Sequence, residues 1–149
     1  MEFDIDTLKV AALAVAREQS LSEDCSAGGV GAALLCDSGD TYTGICIDAS
    51  CSIGFCAEHA AIAEMLKSRR TRVVAMIAVN DRGEILPPCG RCRELIYQVD
   101  KRNGDTQVIL PDKRVMLLRD LLPWHWSANK KRSRERGEAS ARRRSPRRA

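Results

Sequence analysis

The chain has 149 residues, 44% of them apolar and 30% charged, enough for one domain that buries its own core without disulfide staples. Its seven cysteines are odd in number and the tightest pair sits in a Pro-Cys-Gly-Arg-Cys turn, which argues against a secreted disulfide scaffold and for metal chemistry in a reducing, cytoplasmic compartment. The net charge of +4 belongs to residues 130 to 149, with ten Lys/Arg against two Glu, whereas residues 1 to 128 hold fourteen Lys/Arg against eighteen Asp/Glu. The first six residues are acidic where a signal peptide would be basic, and no apolar run approaches the ~20 residues of a membrane span, so no membrane partner is expected.

In chain order, Asp6 is placed to cap a first helix whose apolar stripe is Leu8, Ala11, Ala12 and Val15. Residues 20 to 26 are polar and read as a connection. Residues 30 to 36 and 41 to 47 read as a strand pair across the turn Asp37-Ser38-Gly39-Asp40. Helices are expected at 56 to 68 and 90 to 99. Between them, 72 to 79 is a nearly continuous apolar run, as in a strand covered on both faces. Two more short strands are expected at 106 to 110 and 114 to 118 before Asp120-Leu121-Leu122-Pro123 closes the domain. The alternation describes an α/β domain with helices on both faces of a sheet, over residues 1 to 128. Residues 129 to 149 contain no aromatic or branched apolar side chain and are expected to be a disordered basic tail, with nucleic acid as a candidate partner.

The chemistry concentrates in Cys56-Ala57-Glu58 and Pro88-Cys89-Gly90-Arg91-Cys92, both where a loop becomes a helix. Three thiolates make a catalytic rather than a closed structural zinc site, because the fourth position is left for water. Helix N-termini favour thiolate over thiol. Glu58 shares a stripe with Ala61, Ile62 and Met65, and Cys92 shares one with Leu95, Ile96 and Val99, so both are expected to face inward. In isolation the Cys89-x-x-Cys92 pair is equally a redox pair or half of a zinc knuckle, and Cys46 or Cys51 remains a candidate fourth thiolate. Three thiolates leave an excess of negative charge, for which Arg93 is the expected donor, with His59 a weaker one because it is only partly charged at pH 7.

From residue 30 to about 126 the chain resembles the small zinc-dependent cytidine deaminases. The residues that carry the likeness are Val30-Gly31-Ala32-Ala33-Leu34, Cys56-Ala57-Glu58, Pro88-Cys89-Gly90-Arg91-Cys92-Arg93 and Leu121-Leu122-Pro123, in that order. The stretch Leu21-Ser22-Glu23-Asp24-Cys25-Ser26 and the Pro-Cys-Gly-Arg-Cys-Arg string look like the blasticidin-S deaminase branch. The resemblance implies a three-layer α/β/α sandwich around a five-stranded mixed sheet, and a homotetramer whose sites are completed by neighbours. It implies Zn²⁺ on Cys56, Cys89 and Cys92, with Glu58 moving protons between water and a cytidine-like aminopyrimidine nucleoside as ammonia is released. It places Cys46, Asp48 and Ser26 at the substrate. Just after Leu122-Pro123, the aromatic run Trp124-His125-Trp126 is expected to be either a lid over the substrate or packing at the end of the core.

Two departures bear on the substrate. The family's Asn-x-Glu pair that holds ribose corresponds here to Cys46 and Asp48, and the aromatic that stacks on the base corresponds to Gly28 or Gly29. Cysteine is a poor hydrogen-bond partner, so a modified or larger aminopyrimidine, such as a blasticidin-S-like one, is favoured over plain cytidine. The competing readings are a polynucleotide cytosine deaminase and a non-catalytic zinc module whose tail binds nucleic acid.

Overall fold

The computed structural model describes residues 2 to 128; the basic tail expected at 129 to 149 lies outside the described residues. Helix α1 (Ile5–Val15) starts two residues earlier than the sequence suggests. Asp4, not Asp6, is its N-cap, accepting from the amides of Asp6 at 3.3 Å and Thr7 at 2.9 Å. The early start brings Ile5 into the stripe with Leu8 and Ala12 that packs on the sheet, and Asp6 instead receives a bond from Lys113 Nζ at 2.7 Å.

The polar stretch after α1 is also extended: β1 (Gln19–Ser22) pairs antiparallel with the first residues of β2 (Cys25–Cys36). All four β1 residues are exposed, so no apolar alternation marked it. On its other edge β2 pairs antiparallel with β3 (Thr41–Ala49). After α2 (Ala57–Lys67), β4 (Val73–Asn80) lies antiparallel to β2. A two-residue strand, β5 (Ile85–Leu86), then lies beside the end of β4. Past α3 (Gly90–Val99), β6 (Gln107–Ile109) runs parallel to β4 and β7 (Val115–Leu117) antiparallel to β6, ahead of the short α4 (Leu118–Leu121).

The mixed sheet therefore has seven strands where five were expected. The frame β3-β2-β4-β6-β7 supplies the five, and β1 and β5 are short additions beside β2 and β4. Strand β4 is buried on both faces, as its unbroken apolar run requires. Ala75, Ile77 and Val79 meet Leu8, Ala12 and Ala16 on the α1 side, while Met76 and Ala78 meet Ala61, Ile62, Met65 and Ile96 from α2 and α3. These two cores on opposite faces make the three-layer α/β/α sandwich.

Small residues set the spacing between layers. A Cβ on Gly44 of β3 would lie 2.2 Å from the amide nitrogen of Ala61, so α2 rests directly on that strand. At the far end of the sandwich the fully buried Asn103 accepts from Val73 N at 2.8 Å and donates to the carbonyls of Thr71 at 2.9 Å and Ile96 at 3.0 Å. One side chain thus ties the end of α3 to the start of β4. No helix among the described residues is long and apolar enough to cross a membrane.

Candidate metal and active site

Helices α2 and α3 are each preceded by an extended cysteine, Cys56 and Cys89, in the N-cap position. Because both helices lie on the same face of the sheet, their N-terminal ends bring the two sulfurs to 3.6 Å, and Cys92, one turn into α3, stands 3.4 Å from Cys89. Sulfurs bound tetrahedrally at about 2.3 Å from one zinc stand about 3.8 Å apart, so the observed triangle fits that ion. Among the described residues this is the one group of potential ligands gathered closely enough to hold a metal, and neither Cys46 nor Cys51 joins it as a fourth thiolate. An inert, closed four-cysteine site and a knuckle are thereby set aside, and the three thiols form a zinc-binding centre.

The thiols differ in how readily they ionise. Burial raises Cys56, with the neighbouring Cys89 adding to it, and burial together with the Glu58 charge raises Cys92 strongly. Burial also works against Cys89, but the amide N–H groups of Cys92 and Arg91 and the two other thiols outweigh it and bring Cys89 below its ordinary value. Three adjacent thiolates repel one another and require a cation among them.

Glu58, in the first turn of α2, is 4% exposed. Burial pushes its carboxyl above the usual carboxylate range. It lines, with Cys56 and Cys89, a cleft of about 440 Å³ whose remaining wall includes Val30, Cys46, Asp48, Phe55 and Leu86. Cys46 is buried in this wall, where Sγ accepts from Val30 N at 3.3 Å and faces Asp48 Oδ2 at 3.6 Å. Its thiol is thus committed to positioning Asp48. Ser26 lies outside this cleft, in a shallower polar hollow with Ser20, Ser22, Glu23, Asp24 and Cys25 that meets the cleft at Asp48 and Ala49.

Phe55 was not read from the sequence as part of the site. An antiparallel bridge to Ile47, with backbone bonds of 2.9 and 3.0 Å, holds it in the cleft wall. Its position beside Cys56 was the available signal, but only the bridge turns it inward.

Two expectations are corrected. Arg93 does not donate to the sulfurs: Nε goes to the Pro88 carbonyl at 2.8 Å and a terminal nitrogen to the Leu121 carbonyl at 3.2 Å. With its guanidinium on these two carbonyls, half-buried Arg93 ties the loop that carries Cys89 to the end of α4. Trp124 and Trp126 do not cover the cleft or pack at the end of the core, being 91% and 62% exposed. The short segment after α4 is pinned instead by His125, whose ring lies 4.4 Å from that of Tyr97. His59 does approach the centre, with Nδ1 at 3.7 Å from Cys92 Sγ, and burial and then the nearby Arg91 charge lower its pKa, so it is a neutral neighbour.

The family described as the cytidine and deoxycytidylate deaminase zinc-binding region matches residues 3 to 104. A cytidine deaminase of Mycobacterium tuberculosis is 35% identical over 95 residues, 63% of this chain and 69% of that protein. One from Halalkalibacterium halodurans is 35% identical over 104 residues, 66% of this chain and 77% of its own. The crystal structure of cytidine deaminase from Mycobacterium leprae superposes with a TM-score of 0.69 at 29% identity, covering 82% of this chain and 99% of that one. With a three-thiol centre at two helix mouths, a buried glutamate beside it and this likeness over most of the described residues, the chain belongs to the zinc-dependent cytidine and deoxycytidylate deaminase family.

Proposed function

We propose that the protein hydrolyses the 4-amino group of a cytidine-like aminopyrimidine nucleoside to a carbonyl, releasing ammonia. The observation that carries this reading is the buried carboxyl of Glu58 in the same cleft as the three-thiol centre. Zinc held by Cys56, Cys89 and Cys92 would supply the positive charge that brings the pKa of water down to about 7. Glu58, whose proton affinity is raised by burial, accepts a proton from water as oxygen adds to C4 of the ring and delivers it to N3. It then carries the second proton from the new hydroxyl to the amino nitrogen, the C4–N bond breaks, and ammonia leaves a C4 carbonyl.

The cleft volume suits a single nucleoside rather than a polynucleotide strand, and Phe55 offers the base an aromatic wall. The substrate's sugar end meets Asp48, positioned by Cys46, instead of an amide and a longer acid. The polar hollow beyond Asp48, which includes Ser26, gives a shelf to a substituent longer than ribose. These features favour a modified or blasticidin-S-like nucleoside. Ammonia release from cytidine, deoxycytidine, 5-substituted analogues, blasticidin S and a cytosine-containing oligonucleotide tests the substrate class. Glu58→Gln should keep fold and zinc content while turnover falls at least about 10²-fold. Undiminished turnover in that variant would remove Glu58 from its role.

A further inference from the structure

Given the proposed deamination, on which this depends, we infer that Arg91 selects an aminopyrimidine nucleoside carrying a carboxylate on its ring. Arg91 stands in the first turn of α3, between Cys89 and Cys92, and its side chain forms part of the cleft wall. Among the described residues it is the one cationic side chain in that wall, where the acids are Asp48 and Glu58. A ligand that reaches Glu58 therefore shares the cleft with an exposed guanidinium.

That guanidinium is uncommitted. The ion pairs among the described residues do not include it, and none of its nitrogens bonds to a described carbonyl, carboxylate or sulfur. Its neighbour Arg93, by contrast, is taken up by the Pro88 and Leu121 carbonyls. Neither ordinary use of an arginine explains the placement. A cation in the first turn meets the positive end of the helix dipole, so Arg91 does not stabilise α3. A counter-charge for the thiolates would donate to sulfur, whereas the sulfurs contact one another and His59.

An unpaired guanidinium facing a ligand-sized cleft is a receptor for an oxyanion, because its planar fork presents parallel N–H donors to a carboxylate or a phosphate. Charge decides between the two. Three thiolates around Zn²⁺ leave an excess of negative charge at the cysteine end, and Asp48 adds another in the wall. A phosphate monoester brings nearly two more near pH 7, which one guanidinium does not offset. A carboxylate brings one, which it does. Asp48 also decides where on the substrate the group sits. In the proposed function the sugar end meets Asp48, whose charge repels a second carboxylate, while Arg91 belongs to the cysteine end, where the ring reacts. The carboxylate is therefore placed on the ring, at C5, the free carbon next to C4.

The test compares ammonia release from cytidine, 5-carboxycytidine, cytidine 5′-carboxylate and cytidine 5′-monophosphate by the zinc-loaded protein and its Arg91→Gln variant, with zinc content measured for both. The value of kcat/KM for 5-carboxycytidine is expected to exceed that for cytidine about tenfold or more, as for a charge-assisted hydrogen-bonded pair. This ratio, in which effects on fold and metal cancel, should fall about tenfold in Arg91→Gln and recover in part in Arg91→Lys. Because Arg91 is exposed, salt raised from about 50 mM to about 1 M should shrink the ratio. Calorimetric binding of the same four compounds to the slow Glu58→Gln variant, with and without Arg91→Gln, reads the preference without turnover. Failure of all four to release ammonia would thus remove the deaminase reading, while the binding ratio still decides the role of Arg91. The inference is overturned by a ratio near one, by a ratio that Arg91→Gln leaves unaltered, or by preference for either of the two sugar-borne anions instead.

Discussion

At the scale of single residues, one thiol in the cleft wall sets the surroundings of a carboxylate. Cys46 is buried, and its sulfur lies between a backbone N–H and the Asp48 carboxylate. Burial raises the thiol above its ordinary pKa, so it stays protonated and serves as a weak donor to Asp48. Under the proposed function its contribution is the direction in which Asp48 points, which would act on substrate binding and not on proton transfer. Cys46→Ala should therefore raise KM about three- to tenfold with kcat little changed, and Cys46→Ser, which keeps a hydroxyl donor, should restore most of it. Steady-state kinetics on whichever nucleoside the panel selects checks this. A fall in kcat with KM unchanged would place Cys46 in the chemical step instead.

At the scale of elements, the site is only as good as the seating of α2, which brings both Cys56 and Glu58. That seating depends on the absence of a side chain at Gly44, where an added Cβ would lie 2.2 Å from Ala61 N and 2.6 Å from the Ala57 carbonyl. Backbone atoms cannot swing aside as a flexible side chain can. Gly44→Ala should push α2 outward, costing about 1–3 kcal/mol in denaturant unfolding and lowering zinc content with it, because the Cys56 sulfur moves away from Cys89. An unchanged unfolding midpoint with full zinc would show that the helix repacks without loss. The same element logic explains Arg93: by linking the Pro88 and Leu121 carbonyls it holds the Cys89 loop against the segment that ends α4.

At the scale of the molecule, zinc and fold are one equilibrium. The ligands come from two helices 33 residues apart in sequence, so the ion links α2 to α3 across one face of the sheet. Binding to the folded state alone stabilises it by about 4 kcal/mol when free zinc exceeds its Kd 1,000-fold. Chelation should then lower Tm on the order of 10 °C, and readdition of zinc should restore it. Calorimetry with and without chelator reads this, and a Tm indifferent to chelation would contradict a site shared between the helices. The same molecule carries its charge unevenly, with an acidic count over residues 1 to 128 and a basic one over the rest.

The sequence by itself determined the ligands, the inward glutamate and the layered α/β plan. Those depend on local regularities: the Cys-x-Glu and Cys-x-x-Cys spacings, the 3.6-residue stripes of α2 and α3, and the doubly apolar run of β4. Local pattern could not reveal β1, whose residues are all exposed, or the two-residue β5, because pairing and not hydrophobicity defines them. Nor could it choose between Asp4 and Asp6 as cap, since that depends on how far α1 reaches over the sheet. Only the tertiary structure turned Phe55 into the cleft, Arg93 toward carbonyls and Trp124 into solvent. A side chain's partner is fixed by which distant backbone arrives beside it, and one-dimensional spacing carries no information about that arrival.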